Sequence, residues 1–361
     1  MGIVSSFDES YSCLKKKMKR HRDLFTKIID KENIFLAYRK ARKGKGWQNT
    51  VKNFEKNLDE NIAKIHGSLV NKTFSTSPYK TKTIYEPKKR LIYKLPFNPD
   101  RIVQHALMNT LEPIWDKMFI YDSYACRTGK GIHAGSKRTM KFVRKNKYCL
   151  KCDISKFYPS INHNILFGMV ERKIKCKDTL WLIQNIIYSI GGGLNTPIGN
   201  YTSQWFGNLY MNELDQLLKH KYSIKHYIRY CDDFLLFHDD KKLLDKMAVI
   251  IEEFLLEKLQ LKLSKCDLFP VSRGADYLGY RHFRGYILVR KSTAKRVKKR
   301  LKRLPVLLAE GKISMEQYRS SLASTMGWLK WSNSYNLRKS LRIDALMEVC
   351  NGRDSKTEAF Q

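Results

Sequence analysis

Apolar positions along the chain recur at helical spacing in its first third and then switch to strands interleaved with helices. Residues 10–43 are basic and helical in pattern and end at the flexible "RKGKGW". Residues 48–72 repeat their apolar positions as one amphipathic helix. The segment "YKTKTIYEPKKRLIYKLP", 79–96, alternates polar and apolar residues around a Pro-Lys-Lys turn, which predicts a β-hairpin. Asn98 is placed to cap a helix with Pro99 at its first position, running to about Phe119. The glycine-bearing loop "RTGKGIHAG", 127–135, leads into a basic helix.

The second part predicts a strand at 147–153, helices within 162–190 and the loop "GGGLNTPIGNYTSQ". A helix at 203–220, a hairpin at 224–238 and a helix at 241–258 follow. "LQLKLSKCDLFP" and a further hairpin, "ADYLGYRHFRGYILV", complete the region. Strand–helix–strand–strand–helix–strand is the ferredoxin-like order, an α+β arrangement with helices against one face of an antiparallel sheet. Residues 291–348 read as three helices, the first with eight basic residues in the thirteen of "KSTAKRVKKRLKR".

Composition sharpens this picture. The 361 residues suffice for two or three domains, and 43% hydrophobic content with 20 Tyr and 17 Phe predicts a folded chain. Lys and Arg number 69 against 34 Asp and Glu, a formal charge of +35 spread along the whole length. A polyanionic partner follows, nucleic acid rather than a membrane surface. No apolar run has transmembrane length and no signal peptide opens the sequence, so a cytoplasmic protein is expected. "MGIVSS" fits the short myristoylation pattern through Gly2 and Ser6 but is read as a chance match. The eight scattered cysteines suit a reducing compartment, and Cys149 and Cys152 read as buried strand residues rather than zinc ligands.

The candidate chemistry is carried by carboxylates. Asp153 ends a strand in "LKCDISKFYPSI", and 79 residues later Asp232 and Asp233 occupy a tight turn in "IKHYIRYCDDFLLFHDD". Adjacent carboxylates in an apolar setting are costly unless a cation offsets them. In the ferredoxin-like order the two strands are neighbours, so three hard oxygen donors can meet at one edge of the sheet. Such donors suit Mg²⁺, which keeps waters and takes further ligands from substrate phosphates. Two such ions can activate a 3′-hydroxyl and hold a leaving pyrophosphate.

Here the chain resembles the reverse transcriptases. "YCDDFLLF" looks like their YxDD box and "CDISKFYPSI" like their first aspartate motif, within a similarity running from about residue 48 to residue 345. The resemblance implies a right-hand polymerase. A basic N-terminal extension (1–47) would precede fingers (48–146), and a ferredoxin-like palm (147–289), a three-helix thumb (290–348) and a tail (349–361) would follow. It implies metal contacts by Asp153, Ile154, Asp232 and Asp233, with Mg²⁺ as the ion and Mn²⁺ as a substitute. Arg90, with Lys88 or Lys89, matches the clamp on the incoming triphosphate. Lys265 in "LSKCDLF" matches the lysine that protonates pyrophosphate. Tyr158 stands where the family places an aromatic gate that excludes a ribose 2′-hydroxyl and selects deoxynucleotides. Ile154, Ile198, Gly199 and Gln204 fall at other nucleotide-contacting positions. Leu278, Gly279 and Tyr280 in "YLGYRHF" resemble the primer grip. "DRIVQHAL" and "RTGKGIHAG" match segments along the template.

"TPIGNYTSQ", 196–204, departs from the Gln-Gly and Ser-Pro of most reverse transcriptases. Its Ile198-Gly199 and Ser203-Gln204 resemble the enzymes of diversity-generating retroelements, as does "GWLKWSNSYNL", 327–337. That resemblance implies error-prone copying of a template-repeat RNA into cDNA, with errors at adenines. It also implies deoxynucleotide substrates, an oligomeric accessory variability protein and a bacterial or phage origin. An alkyl side chain gives shape contact where an amide could hydrogen-bond, so a mispair loses less. No RNase H or HNH endonuclease domain is expected after the thumb. A retron- or group II intron-like enzyme of ordinary fidelity, and a silent polymerase-shaped RNA-binding scaffold, are the alternatives.

Overall fold

The computed structural model describes residues 20–85 and 88–350. The basic positions 10–19, the Gly2–Ser6 pattern, Pro87 of the predicted hairpin turn and the tail beyond residue 350 lie outside the described residues.

Four helices open the described chain: α1 (Phe25–Ile29), α2 (Lys31–Arg42), α3 (Asn49–Lys56) and α4 (Leu58–Val70). The single helix predicted over 48–72 is thus two. Asn57 leaves helical space at φ −129°, ψ 54°, and the Asn61 side chain donates to the Phe54 carbonyl across the break at 3.0 Å. The hairpin forms as predicted from β1 (Lys80–Ile84) and β2 (Arg90–Lys94). Beyond it Asn98 is extended, at φ −112°, ψ 129°, inside the wide turn Phe97–Arg101. The regular helix α5 (Ile102–Asp116) therefore starts three residues later than predicted and carries no side-chain cap. Next come α6 (Ile132–Lys145), β3 (Tyr148–Ile154), the four-residue α7 (Phe157–Ser160), α8 (His163–Glu171), α9 (Lys177–Ile187) and α10 (Tyr201–Gln216).

The chain continues through β4 (His226–Tyr230), β5 (Asp233–His238), α11 (Lys241–Leu259) and β6 (Leu263–Pro270). "ADYLGYRHFRGYILV" forms three antiparallel strands rather than one hairpin: β7 (Ala275–Tyr277), β8 (Tyr280–His282) and β9 (Ile287–Val289). The last region holds four helical segments where three were predicted: α12 (Lys291–Ala309), α13 (Met315–Leu329), α14 (Tyr335–Ser340) and α15 (Ile343–Cys350). Arg342, left-handed at φ 47°, breaks the last of the predicted helices.

The chain divides into two compact units. One holds the described part of Met1–Tyr121 with Ile154–Ser223 and Ile251–Ser264. The other holds Asp122–Asp153, Ile224–Ile250 and the described part of Lys265–Gln361. The first unit is built around α10, most of whose side chains are buried. Trp205 stacks on Phe119 and Phe206 packs on Trp115, so α10 and the α5 region share one aromatic layer. The all-round burial explains why α10 reads as apolar with few charges rather than amphipathic.

In the second unit the sheet order is β4-β5-β3-β6, with β5 antiparallel to both β3 and β4. β3 lies between β5 and β6, as the strand–helix–strand–strand–helix–strand reading predicts. Phe234, Leu235, Leu236 and Phe237 of β5 are all buried, so this central strand is a continuous apolar run instead of an alternating one. Each such side chain contributes on the order of 2 kcal/mol by leaving water. Phe142 and Val143 of α6 join Cys149, Ile228, Leu235 and Phe237 in the core on one face. The helical region has its own core of Leu301, Leu304, Tyr318, Leu322, Leu329, Ile343 and Leu346.

Candidate active site

The tight turn between β4 and β5 consists of Cys231 and Asp232. Cys231 is left-handed at φ 55°, a conformation that costs a non-glycine residue roughly 1 kcal/mol. Arg229, fully buried in β4, holds that turn: one guanidinium nitrogen donates to the Cys231 carbonyl at 3.0 Å and the other to the Ser123 hydroxyl at 3.3 Å. Sequence reasoning missed Arg229. Its signal was a lone arginine in an otherwise apolar and aromatic strand, where a buried charge needs acceptors.

Across the sheet, Asp153 of β3 is the register partner of Asp233 of β5. The two aspartates therefore sit side by side on adjacent strands, with Asp232 in the adjoining turn. One carboxylate oxygen of Asp233, Oδ1, is buried with no hydrogen-bond partner among the described residues. The other, Oδ2, lies 3.7 Å from the Lys151 ammonium. Lys151 is on the same face of β3 as Asp153, two residues back, and also donates to the Asp276 carbonyl at 2.6 Å. Burial pushes the Asp233 carboxyl up to about 7; Lys151 draws it down, and Asp153 and Asp232 raise it further. The Tyr277 hydroxyl donates to the Asp233 carbonyl at 3.1 Å and fixes the start of β5 from outside the sheet.

A half-buried carboxylate pair with an orphaned oxygen fits a hard divalent cation such as Mg²⁺, for which carboxylates are the natural protein ligands. Among the described residues, no three His, Cys, Asp or Glu side chains stand close enough to cage an ion by themselves. The expected convergence of all three carboxylates is thus not drawn tight in this structure. The ammonium of Lys151 is the cation that the sequence left unnamed.

Other expected site residues fall as follows. Lys265 is exposed on β6. Leu278 and Gly279 form the two-residue turn between β7 and β8, with φ of 53° and 83°, the backbone that such hairpin turns require. Tyr280 is buried, stacks on Trp328 of α13 at 4.4 Å and donates its hydroxyl to the Trp328 carbonyl at 3.0 Å. The predicted primer-grip tyrosine is thus anchored against the helical region. Cys149 and Cys152 are buried in β3, as expected of strand residues, and the Cys152 sulfur lies 3.5 Å from that of Cys266.

In the first unit a second group of expected residues assembles. Arg90 opens β2 and is exposed, as is Lys88 before it. The 196–200 loop docks on that same strand: the Tyr93 amide donates to the Ile198 carbonyl at 2.8 Å. A Cβ on Gly199, whose φ is 128°, would sit 2.1 Å from the Tyr93 carbonyl oxygen, so only glycine fits there. The Ser203 hydroxyl donates to the Pro197 carbonyl at 2.8 Å, and the Asn200 amide donates to the Tyr79 hydroxyl at 2.8 Å. Gly199, Asn200 and Ser203 thus each hold the loop in place, the first by its lack of a side chain and the other two by hydrogen bonds. Ile198 is left half-buried and Gln204 exposed at the start of α10. Tyr158, half-buried in α7, receives the Thr196 amide on its carbonyl at 3.0 Å, and its ring packs where Gly207 leaves room on α10. Ile154, the residue after Asp153, is buried.

Among the described residues no helix is long and apolar enough to cross a membrane. Over 260 residues the chain is 27% identical to protein YkfC of Escherichia coli K12, covering 57% of this chain and 68% of that protein. It is 24% identical over 213 residues to the group II intron-encoded protein LtrA of Lactococcus lactis subsp. cremoris, covering 54% of this chain and 35% of LtrA. It is 28% identical over 169 residues to the retron Ec73 reverse transcriptase of Escherichia coli, covering 43% of this chain and 48% of that enzyme. The chain thus spans less than half the length of the last two. The family profile of reverse transcriptase (RNA-dependent DNA polymerase) matches residues 79–282, which takes in β1 through β8 with both aspartate positions, and the chain belongs to that family of RNA-directed DNA polymerases.

Proposed function

We propose that this protein copies an RNA template into cDNA by nucleotidyl transfer from deoxynucleoside triphosphates, with low fidelity at template adenines, as part of a diversity-generating retroelement. The observation that carries the polymerase reading is the Asp153–Asp233 register pair beside the Asp232 turn, within the stretch matched by the family profile. In this reading Asp153, Asp232 and Asp233, with the Ile154 backbone, hold two Mg²⁺ ions. Those ions would supply Lewis-acid activation of the primer hydroxyl and stabilise the leaving pyrophosphate. Arg90 and Lys88 bind the triphosphate, Lys265 supplies the proton to pyrophosphate, and Tyr158 rejects a ribose 2′-hydroxyl. Leu278, Gly279 and Tyr280 hold the primer end. The partition into fingers, palm and thumb, and an accessory variability protein as partner, belong to the same proposal.

The mutagenic part rests on Ile198. Its carbonyl is bonded to β2 and its side chain remains half-buried in a loop pinned by Gly199 and Ser203, so an alkyl group is presented in a fixed place. Relatives named for a group II intron and a retron favour a second reading, a polymerase of ordinary fidelity.

Primer extension on RNA with Mg²⁺, comparing the wild type with Asp232→Asn, tests the polymerase reading. The variant is expected to lose on the order of a hundredfold or more, since residues that merely support metal ligands already cost roughly ten- to a hundredfold. Equal extension by both proteins, or none by either with accessory protein and cognate RNA present, removes the assignment. Adenine-biased errors in the resulting cDNA separate the retroelement reading from the ordinary one.

A further inference from the structure

We propose that the end of the sheet remote from the aspartates carries a separate seat for the phosphate backbone of structured RNA. A cavity of about 420 Å³ in the second unit is lined by Arg138, Lys141, Arg144 and Lys145 of α6 and by Lys225 and His226 at the start of β4, with Phe142 as its apolar floor. Five of these side chains are cationic, and no carboxylate is among the described lining residues. Arg138 is balanced by Asp122, at 2.7 Å, and lies over the Phe142 ring. The basic heads of Lys141, Arg144, Lys145 and Lys225 are exposed.

Two of these cations have an ordinary explanation: Arg144 and Lys145 sit in the last turn of α6, where positive charge complements the helix end. That account does not reach Lys141, one turn earlier, or Lys225 on a different segment. The wall is also fixed in place. The His226 ring donates to the Asn146 side-chain carbonyl at 2.9 Å, and the Asn146 amide donates to the Phe142 carbonyl at 2.6 Å. Arg144 donates to the Arg284 carbonyl at 3.0 Å.

Register places this seat away from the candidate chemistry. His226 pairs with Phe237, whereas Asp233 pairs with Tyr230 at the other end of the strand. Four residues of strand separate them, about 13 Å at 3.3 Å per residue. The stretch 138–145 of α6 runs about 10 Å along its helix axis, enough to meet several phosphates of a strand that carries one charge per roughly 3.4 Å. A spread of exposed cations fits a phosphate backbone better than a single small anion. The choice of RNA among polyanions rests on the proposed function.

The test pairs Lys141→Gln/Lys145→Gln with the wild type, both in an Asp232→Asn background for binding, so that the outcome does not depend on catalysis. Binding of a long hairpin-bearing RNA is followed by fluorescence anisotropy over a salt series. Extension of a short primed RNA oligonucleotide is measured with Asp232 intact. Loss of two phosphate contacts is expected to weaken hairpin RNA binding by about tenfold or more and to make the salt slope shallower by about 1.5. Short-template extension is expected at the wild-type rate, and Lys141→Arg/Lys145→Arg is expected to bind like the wild type. Unchanged affinity and slope would overturn the seat, and so would an equal loss on the short template, which would assign these lysines to the catalytic track.

Discussion

Lys151 and Asp233 face each other diagonally across β3 and β5, ammonium to carboxylate at 3.7 Å, while the second oxygen of Asp233 is buried with no hydrogen-bond partner among the described residues. The lysine offsets only part of the repulsion among Asp153, Asp232 and Asp233, and a divalent ion would relieve the rest. Lys151→Met is therefore expected to lower the melting temperature in chelator by about 2 °C, from a loss of about 1 kcal/mol for a partly exposed pair. The same change removes a positive charge that competes with the ion. Added Mg²⁺ should then raise the melting temperature of the variant more than that of the wild type. Melting curves in chelator and in Mg²⁺ check both signs; an equal Mg²⁺ response in the two proteins would count against ion binding beside Asp233.

Arg229 holds the Cys231 turn from inside the core. Arg229→Met keeps most of the volume but leaves the Cys231 carbonyl and the Ser123 hydroxyl without that donor. Loss of stability of about 2–4 kcal/mol is expected, together with loss of primer extension as the turn carrying Asp232 relaxes. Urea midpoints measure the first and extension assays the second. Retained stability would show that the turn holds without the guanidinium.

His282 gives a pH signature in the second unit. Its Nδ1 donates to the Ala275 carbonyl at 3.1 Å and its Nε2 lies 2.7 Å from the Ser136 hydroxyl. Burial pushes its pKa down to about 4. The unfolded chain takes up the proton near pH 6.5 and the folded chain only near 4, so stability is full above about 6.5 and falls as pH drops toward 4. The loss approaches about 3 kcal/mol, the free energy that separates an ordinary imidazole from one that takes its proton only near pH 4. In His282→Gln the slope of the urea midpoint between pH 6.5 and 4 should be shallower than in the wild type. An identical slope in the two proteins would mean that this imidazole is not the group responsible.

The strand order and the position of Asp153 beside the Asp232–Asp233 turn were legible in the sequence because each follows from period, turn chemistry or motif, whereas the docking of the TPIGNYTSQ loop on β2 was not. Nor were Lys151, Arg229 and Tyr277. Their roles arise from strand register and from contacts between segments distant in the chain, which side-chain type alone does not encode. The break at Asn57 and the left-handed Arg342 were equally hidden, since periodicity continues across a single residue that leaves helical space. The continuous apolar run of β5 was easy to read as a strand, yet its burial on both faces depends on packing partners such as Phe142, 95 residues away.

Ile198 is the position at which the proposed mutagenic character can be changed without disturbing the fold. Its carbonyl bond to the Tyr93 amide involves only backbone, and the loop is held by Gly199 and Ser203 rather than by its own side chain. Ile198→Gln therefore replaces alkyl contact by an amide while leaving the loop in place. An amide that hydrogen-bonds at the nascent pair strengthens the correct alignment relative to a mispair, and each such bond contributes about 1 kcal/mol, or several-fold in discrimination. Sequencing of cDNA made on an RNA of even composition should show adenine errors reduced several-fold in the variant, with total product within a few-fold of the wild type. Gly199→Ala is the contrasting change: a Cβ would collide with the Tyr93 carbonyl in a backbone conformation that alanine disfavours, so extension itself should fall. An unchanged adenine error spectrum in Ile198→Gln, with product still made, would place the source of infidelity elsewhere in the chain.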